Sequence, residues 1–405
     1  MSSRKRTGTA PDELGYRLPA EWEPHAATWL AWPSSVADWP DKGGAIPWVF
    51  GELVRLLAQS EVVRLIVPSA AAEQRVAALL RKVGADVAEV DFVHARVNRT
   101  WARDFLPTFV TRRQPQPPEA EVGTEPAAGK VPLLGAVKWR FNGWARYPNH
   151  KLDDAAGDIA ARWLDVPTWH PEAAIEGKPH RVVLEGGGID VDGEGTLITT
   201  RECLLDGQLA RNAKLGKQGT EAVLAQYLGV RKVLWLERGI AGDDTSGHVD
   251  DFVRFVGPAR VVVCHESDPR DPNHAPLAAA AEQLRGARDA RGRKLEVVSL
   301  PMPAPLHFGR DRLPASYANF YVANSVVLVP TFNDEQDRVA LGILQELFPT
   351  RRVVGVHCVD LVLGLGTIHC STMQEPLGLA RAARGQAKRR PVGERSRARR
   401  MRRAS

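Results

Sequence analysis

Residues 61–95, EVVRLIVPSAAAEQRVAALLRKVGADVAEVDFVHA, set the pattern by which the chain is read. EVVRLIV (61–67) is a short β-branched run of the kind that fills a buried strand. AAEQRVAALLRKVG (71–84) spaces its apolar residues three and four apart, as one face of a helix requires, and DVAEVDFVHA (86–95) returns to strand. ATWLAWP (27–33) adds one more short strand upstream, so the unit reads strand, strand, helix, strand.

That order recurs. DFLPTFV (104–110), GAVKWRF (135–141), a helix around Asp154–Leu164 and RVVLEG (181–186) form a second unit. IDVDG (189–193), TLITTREC (196–203), a helix around Thr220–Leu228 and RKVLWLE (231–237) form a third. HVDDFVRFVG (248–257), ARVVVCHE (259–266), a helix around Pro276–Arg288 and KLEVVSLP (294–301) form a fourth. SYANFYVAN (316–324), SVVLVPT (325–331), a helix around Glu335–Leu347 and RVVGVHC (352–358) form a fifth. One such unit cannot cover its own apolar sheet face, whereas five set around a common axis share a core. The expectation is an α/β fold, a closed five-bladed ββαβ propeller with pseudo-fivefold symmetry, in preference to a doubly wound sheet.

The totals fit a large globular domain: 405 residues, 44% hydrophobic and 25% charged. No apolar run approaches the roughly 18 residues that cross a bilayer, and no apolar segment follows the basic residues of MSSRKRTGTAPDELG, so a soluble, cytoplasmic protein with no membrane partner is expected. Cys203, Cys264, Cys358 and Cys370 form no CxxC pair, which argues against a disulfide framework or a zinc cage. The formal charge of +6 conceals a division: residues 377–405 carry eleven Lys/Arg against Glu394, and removing that +10 leaves the body at −4. This basic tail reads as a solvated, disordered extension, with a weak salt-sensitive polyanion contact as its functional alternative. Residues 111–130, rich in Pro, Gly and charge, read as an exposed loop insertion.

Polar residues stand at like places in the units: Asp104 opens the second, Glu185 the next junction, His248 and Asp250 the fourth, and Cys370 follows the fifth. If strand starts converge on one axis, a thiol, an imidazole and three carboxylates meet in one pocket, a set suited to a cationic substrate. A thiol nucleophile must ionise, and a neighbouring imidazolium favours that. His248 can supply the charge and move protons, Glu185 can orient it, and Asp104 with Asp250 can accept paired N–H bonds from a planar guanidinium. Two apart in a predicted strand, His248 and Asp250 share a face; Asp251 between them points away and reads as structural, and His369 faces away from the thiol beside it. Singly, each motif has another reading. A cysteine among glycines can be structural, a His-x-Asp can be a local hydrogen bond, and Gly186–Gly188 reads as turn geometry, lacking the pattern of a phosphate loop. Cys203, Cys264 and Cys358 read as core thiols.

RLPAEWEPHAATWLAWP, RTWARDFLPTFV, VLEGGGIDVDGEGTLITTRECLL, GDDTSGHVDDFVRFV, LPASYANFYVANSVVLVPTFND and GLGTIHCSTMQEP, in that order, resemble the successive signatures of the agmatine deiminase and bacterial peptidyl-arginine deiminase family of guanidino-modifying enzymes. The match runs from about Leu18 to Leu377. It implies a single pentein catalytic domain over 18–377, a flexible N-terminus at 1–17 and a basic tail at 378–405. It also implies Cys370 as covalent nucleophile, His248 as general acid/base, Glu185 as its hydrogen-bonding support, Asp104 and Asp250 as guanidinium clamps, Trp101 as a substrate-site wall and Arg103 as an ion-pair residue. Leu365 and Thr367 depart from the family's GGGNIHC, and Leu106 from W-x-R-D-x-G-P. The implied activity is hydrolysis of agmatine to N-carbamoylputrescine and ammonia through an amidino-cysteine, without metal or organic cofactor, in a homo-oligomer such as a dimer. The alternatives are a peptidyl-arginine or free-arginine deiminase using the same groups and, in another class, a nucleic-acid-binding protein on an inactive scaffold. The body's acidity and the lack of a recognised binding motif weigh against the last.

Overall fold

The helix expected at 71–84 runs Ala70–Lys82, and its ends explain themselves. The Ser69 side chain accepts from Ala72 N at 3.3 Å, Glu73 sits in the first turn and Arg81 and Lys82 in the last, each sign where the helix dipole favours it. Ala72, Val76, Ala77 and Leu80 form its buried face. The strands on either side, Val62–Val67 and Val90–His94, lie parallel, as a crossover helix demands. The computed structural model describes residues 9–35, 37–112, 133–206 and 208–378.

The upstream strand corrects the sequence reading. His25–Ala31 is not joined directly to Val62–Val67; the two are parallel across a helix, Ile46–Leu57, absent from the expected unit. Its signal was present in IPWVFGELVRLL, which has Pro at the start and buries Phe50, Leu53, Val54 and Leu57 along one face. The antiparallel partner of His25–Ala31 is Thr372–Pro376, more than three hundred residues downstream.

With that change, five sheets share one connection rule: an antiparallel pair followed by a parallel strand across a helix. Thr108–Arg112, Leu134–Val137 and Thr168–Trp169 follow it with helix Lys151–Leu164. Asp190–Val191, Thr196–Thr200 and Lys232–Leu236 follow it with Gly216–Leu228. Val253–Gly257, Arg260–His265 and Glu296–Pro301 use His274–Gly286, and Tyr321–Val322, Val326–Thr331 and Arg352–His357 use Gln336–Leu347. Among the described residues no ladder joins one of these sheets to the next, and the architecture is that of an α/β single-domain fold.

Three expected strands differ. RVVLEG contributes only an isolated bridge, Arg140 to Val183, because a hairpin of Glu172–Ile175 and Lys178–Arg181 diverts the chain after Trp169. Its loop residues Glu176 and Gly177 both have positive φ, the geometry of a two-residue hairpin turn. DFLPTFV begins with a helical turn, Ala102–Phe105, before its strand, and HVDDFVRFVG begins with a 3₁₀ turn, Val249–Asp251. Asp104, His248 and Asp250 therefore sit on turns ahead of strands and not on the strands themselves.

Of the expected N-terminal segment 1–17, residues 1–8 lie outside the described residues; Thr9 O accepts from Trp169 Nε1, and Tyr16–Arg17 pair with Thr108–Arg112. Most of the expected loop insertion, residues 113–130, and all but Gly378 of the basic tail also lie outside. Among the described residues no helix is long and apolar enough to cross a membrane.

Candidate active site

The turns that precede the strands bring the five expected residues together. His248 Nδ1 is 3.9 Å from Asp104 Oδ1 and 3.9 Å from Asp250 Oδ1, and its Nε2 is 3.7 Å from Glu185 Oε2. Cys370, in the short helix Ile368–Ser371, places its sulfur 3.7 Å from Asp250 Oδ2. Thiol and imidazole thus flank one carboxylate. All five side chains are buried. Gly187 makes this convergence possible: a Cβ there would stand 2.6 Å from His248 Nδ1 and about as close to Asp104 and Asp250, while its N–H donates to Asp104 Oδ1 at 3.0 Å. The triple glycine serves close approach within a 3₁₀ turn, in keeping with the turn geometry read from the sequence.

A cavity of about 170 Å³ opens on the group, lined by Trp101, Asp104, Trp144, Tyr147, Asp244 and Cys370 among others. Asp38 and Arg99 also line it. Such a lining, with aromatic rings and carboxylates, suits a cation.

A model of the Porphyromonas-type peptidyl-arginine deiminase family matches residues 17–376. The chain belongs to that family. An agmatine deiminase of Stutzerimonas stutzeri is 36% identical over 396 residues, covering 92% of this chain and 99% of that one. The structure of the Enterococcus faecalis agmatine deiminase aligns with TM-score 0.79 at 31% identity, covering 92% and 99% of the two chains. A substrate-bound Cys→Ser agmatine deiminase of C. jejuni aligns with TM-score 0.73 at 26% identity, covering 90% and 97%.

This family member holds its site with residues that the sequence reading passed over. Asn319 donates from Nδ2 to Cys370 Sγ at 3.1 Å and to Asp251 Oδ1 at 2.9 Å, while its Oδ1 accepts from Thr367 Oγ1 at 2.7 Å and His369 N at 3.0 Å. An amide set between Tyr317 and Phe320 in the run SYANFYVAN was the available signal. Trp144 Nε1 donates to Asp104 Oδ2 at 2.9 Å, and nothing local marks that tryptophan. Glu185 accepts from Arg211 Nε with both oxygens at 3.0 Å, so the expected hydrogen bond to His248 is replaced by a longer ionic contact. Among the described residues neither ring nitrogen of His248 has a hydrogen-bond partner.

Two further expectations change. Asp251 does not face away: its carboxylate, Asp250 and the Cys370 sulfur present atoms within 4.8 Å of one another. The 3₁₀ turn removes the alternation that a strand would impose. Cys203 is a core thiol as read, packed in an apolar cluster with Trp139 and Trp169, but its sulfur also lies within 4.8 Å of the polar atoms of Glu185 and His248. Both groups are metal-ligand types; the guanidinium on Glu185 opposes a metal cation at the first. His369 binds Asp250 Oδ2, the oxygen that the thiol also approaches, and Arg103 pairs with Glu21 at 3.1 Å.

The charges follow from burial and proximity. Burial pushes the Cys370 thiol up, and Asp250, Asp251 and Asp104 push it further, against the Asn319 hydrogen bond. Burial would lower the His248 imidazole, but Asp104, then contacts with Cys203 and Glu185, hold it well above its ordinary value. Burial, joined by Asp250 and Glu185, pushes Asp104 up to about 6 against the pull of His248. Burial would also raise Asp250, yet the His369 hydrogen bond and charge, then His248 and Arg254, keep it below the carboxylate range. Burial and the surrounding acids thus hold the proton on the thiol and favour the charged form of the imidazole.

Proposed function

We propose that this protein is an agmatine deiminase, hydrolysing agmatine to N-carbamoylputrescine and ammonia. The observation that carries the reading is one buried thiol, Cys370, that shares a cavity with Asp104 and lies 3.7 Å from Asp250 Oδ2, and the relatives named agmatine deiminase supply the substrate class. Asp38 and Asp244 on the cavity wall suit a second positive charge, the substrate's amine. Arg99, 4.0 Å from Asp38, lines the same cavity, so the wall carries both signs of charge. The five sheets of like connection, with Thr372–Pro376 returning to His25–Ala31, support a five-bladed propeller whose turns meet on one axis. Four free, buried thiols suit the cytoplasm.

Asp104 and Asp250 accept the N–H groups of the guanidinium and set its plane, which makes attack an intramolecular event. The cation offsets the carboxylate field that holds the Cys370 proton, so the thiol releases that proton to solvent as substrate enters and the thiolate forms. Sulfur attacks the central carbon, and His248 gives its proton to the departing nitrogen, which leaves as ammonia. An amidino-cysteine remains. His248, now neutral, takes a proton from water as the oxygen adds to the same carbon; the C–S bond breaks, the departing sulfur takes up the adduct's O–H proton, and the neutral ureido product and the Cys370 thiol form. Glu185, anchored by Arg211, favours the charged imidazole between the steps.

Ammonia release from agmatine, arginine and a blocked arginyl peptide tests the reading, with Cys370→Ser as control. Turnover of agmatine over the other two is expected, and loss of nearly all of it in the variant. Preference for the peptide, or full activity in Cys370→Ser, overturns the proposal.

A further inference from the structure

His369 is 2% exposed and does not line the 170 Å³ cavity, yet its ring spans two carboxylates. Nδ1 lies 2.6 Å from Asp250 Oδ2 and Nε2 lies 2.8 Å from Glu21 Oε2. Glu21 is itself immobilised. Its Oε1 accepts from Arg254 Nη2 at 2.9 Å and from Val322 N at 2.8 Å, and its Oε2 also accepts from Arg103 Nη2 at 3.1 Å. Backbone holds the ring from the other side, because His369 N donates to Asn319 Oδ1.

The two oxygens of Asp250 are treated differently. Oδ2 carries the His369 bond and approaches the thiol, whereas Oδ1 has no hydrogen-bond partner among the described residues and lies on the His248 side, close to the Gly187 turn. A buried carboxylate oxygen left open is costly unless something else fills its lone pairs. A guanidinium N–H does so. We propose that His369 and Glu21 are a positioning pair for Asp250: the imidazole ties one oxygen, aims the other at the substrate cation, and takes its second anchor from Glu21. The inference rests on the guanidine reading of the site.

Electrostatics agree with the geometry. Asp250 faces Asp104, Asp251 and Cys370 on the acid side, and His248, His369 and Arg254 on the basic side. Glu21 faces Arg254, His369 and Arg103, which hold it well below the carboxylate range although burial alone would raise it; Asp190 completes the group on that side. Each ring nitrogen lies within hydrogen-bond distance of one carboxylate oxygen. Removing the ring leaves Asp250 beside two acids with less to offset burial, so its proton affinity rises. The acid limb of substrate capture then moves to higher pH, a change that loss of stability alone would not produce.

The test uses the full chain and two variants, His369→Asn and Glu21→Gln, each assayed for ammonia release from agmatine between about pH 5 and 9. Agmatine binding is measured by calorimetry in the Cys370→Ser background, where no turnover intervenes. His369→Asn is expected to raise KM about tenfold or more, the usual effect of losing a charged hydrogen bond, with a smaller change in kcat and the acid limb moved up. Glu21→Gln should shift both in the same direction by less, and the double variant should be no worse than His369→Asn. Wild-type turnover with unchanged KM and unchanged acid limb in the variants overturns the pair. Should His369→Asn fail to fold, Glu21→Gln decides by the same two readings. A wild-type chain inert toward agmatine, with binding in Cys370→Ser that still depends on His369, would defeat the deiminase reading and leave the pair standing; no binding at all defeats both.

Discussion

Replacing Asp250 by Asn should make the Cys370 thiol more reactive toward a small neutral electrophile while turnover is lost. Asp250 Oδ2 is 3.7 Å from the sulfur. Two unit charges at such a separation repel by about 4 kcal/mol at an effective dielectric of ~20, worth about a thousandfold in the thiolate population at fixed pH. Part of that gain is returned, because a less basic thiolate is a poorer nucleophile with a Brønsted slope of about 0.4–0.5, leaving an alkylation rate about thirtyfold higher. Iodoacetamide is small and uncharged, so its approach depends little on the field it probes. Modification of Cys370 would be followed by mass spectrometry in wild type and Asp250→Asn, at one pH, with ammonia release measured on the same samples. The expected pattern is faster alkylation with negligible deimination. An Asp250→Asn protein alkylated no faster than wild type would refute the claim that this carboxylate holds the proton on sulfur.

Arg211→Met leaves the Glu185 carboxylate buried without its two 3.0 Å bonds, and both side chains are inaccessible. Loss of one partner of such a pair costs about 3–5 kcal/mol, visible in the urea midpoint, and adding Glu185→Gln should restore part of it. For the free enzyme, kcat/KM should fall as pH drops through about 6, because Asp104 binds the cation only when ionised and its carboxyl is pushed up to about 6. Trp144→Phe removes a donor that favours the ionised form, so that limb should move to higher pH.

The repeat was legible because its carriers signal locally. Amphipathic spacing marks helices such as Ala70–Lys82, and parallel strands covered on both faces, such as Arg260–His265, read as near-continuous apolar runs. What the sequence hid depends on distant partners. Thr372–Pro376, TMQEP, is buried at every position although mostly polar. Glu375 explains how: Arg64 Nε donates to its Oε2 at 2.6 Å and Trp29 Nε1 at 3.0 Å, partners that no window around residue 375 contains. The same holds for the site. Cys370, His248 and the acids announce themselves by chemical type, whereas Trp144 and Arg211 acquire their roles only from what they touch. Alternation failed at Asp251 because it presumes a strand, and a 3₁₀ turn places consecutive acids toward one thiol.

Placement of the nucleophile beside the closing strand ties chemistry to the completion of the fold. Cys370 precedes Thr372–Pro376 directly, and that strand is fixed by pairing with His25–Ala31 and by the Glu375 contacts. Glu21, which anchors His369, belongs to the segment entering His25–Ala31, and the Glu21–His369 contact spans 348 residues. Until these segments meet, the thiol has no Asp250 carboxylate beside it and Asp250 lacks its His369 tether. Closing so long a loop is entropically unfavourable and must precede any gain from the contacts it permits. The acids, the imidazoles and the thiol are consequently brought into mutual range only by the packed chain as a whole, where burial can give each of them its altered proton affinity. A loosened closing strand would release the thiol and the acid ring together, so activity should vanish with the pairing of His25–Ala31 to Thr372–Pro376 even where the other sheets persist.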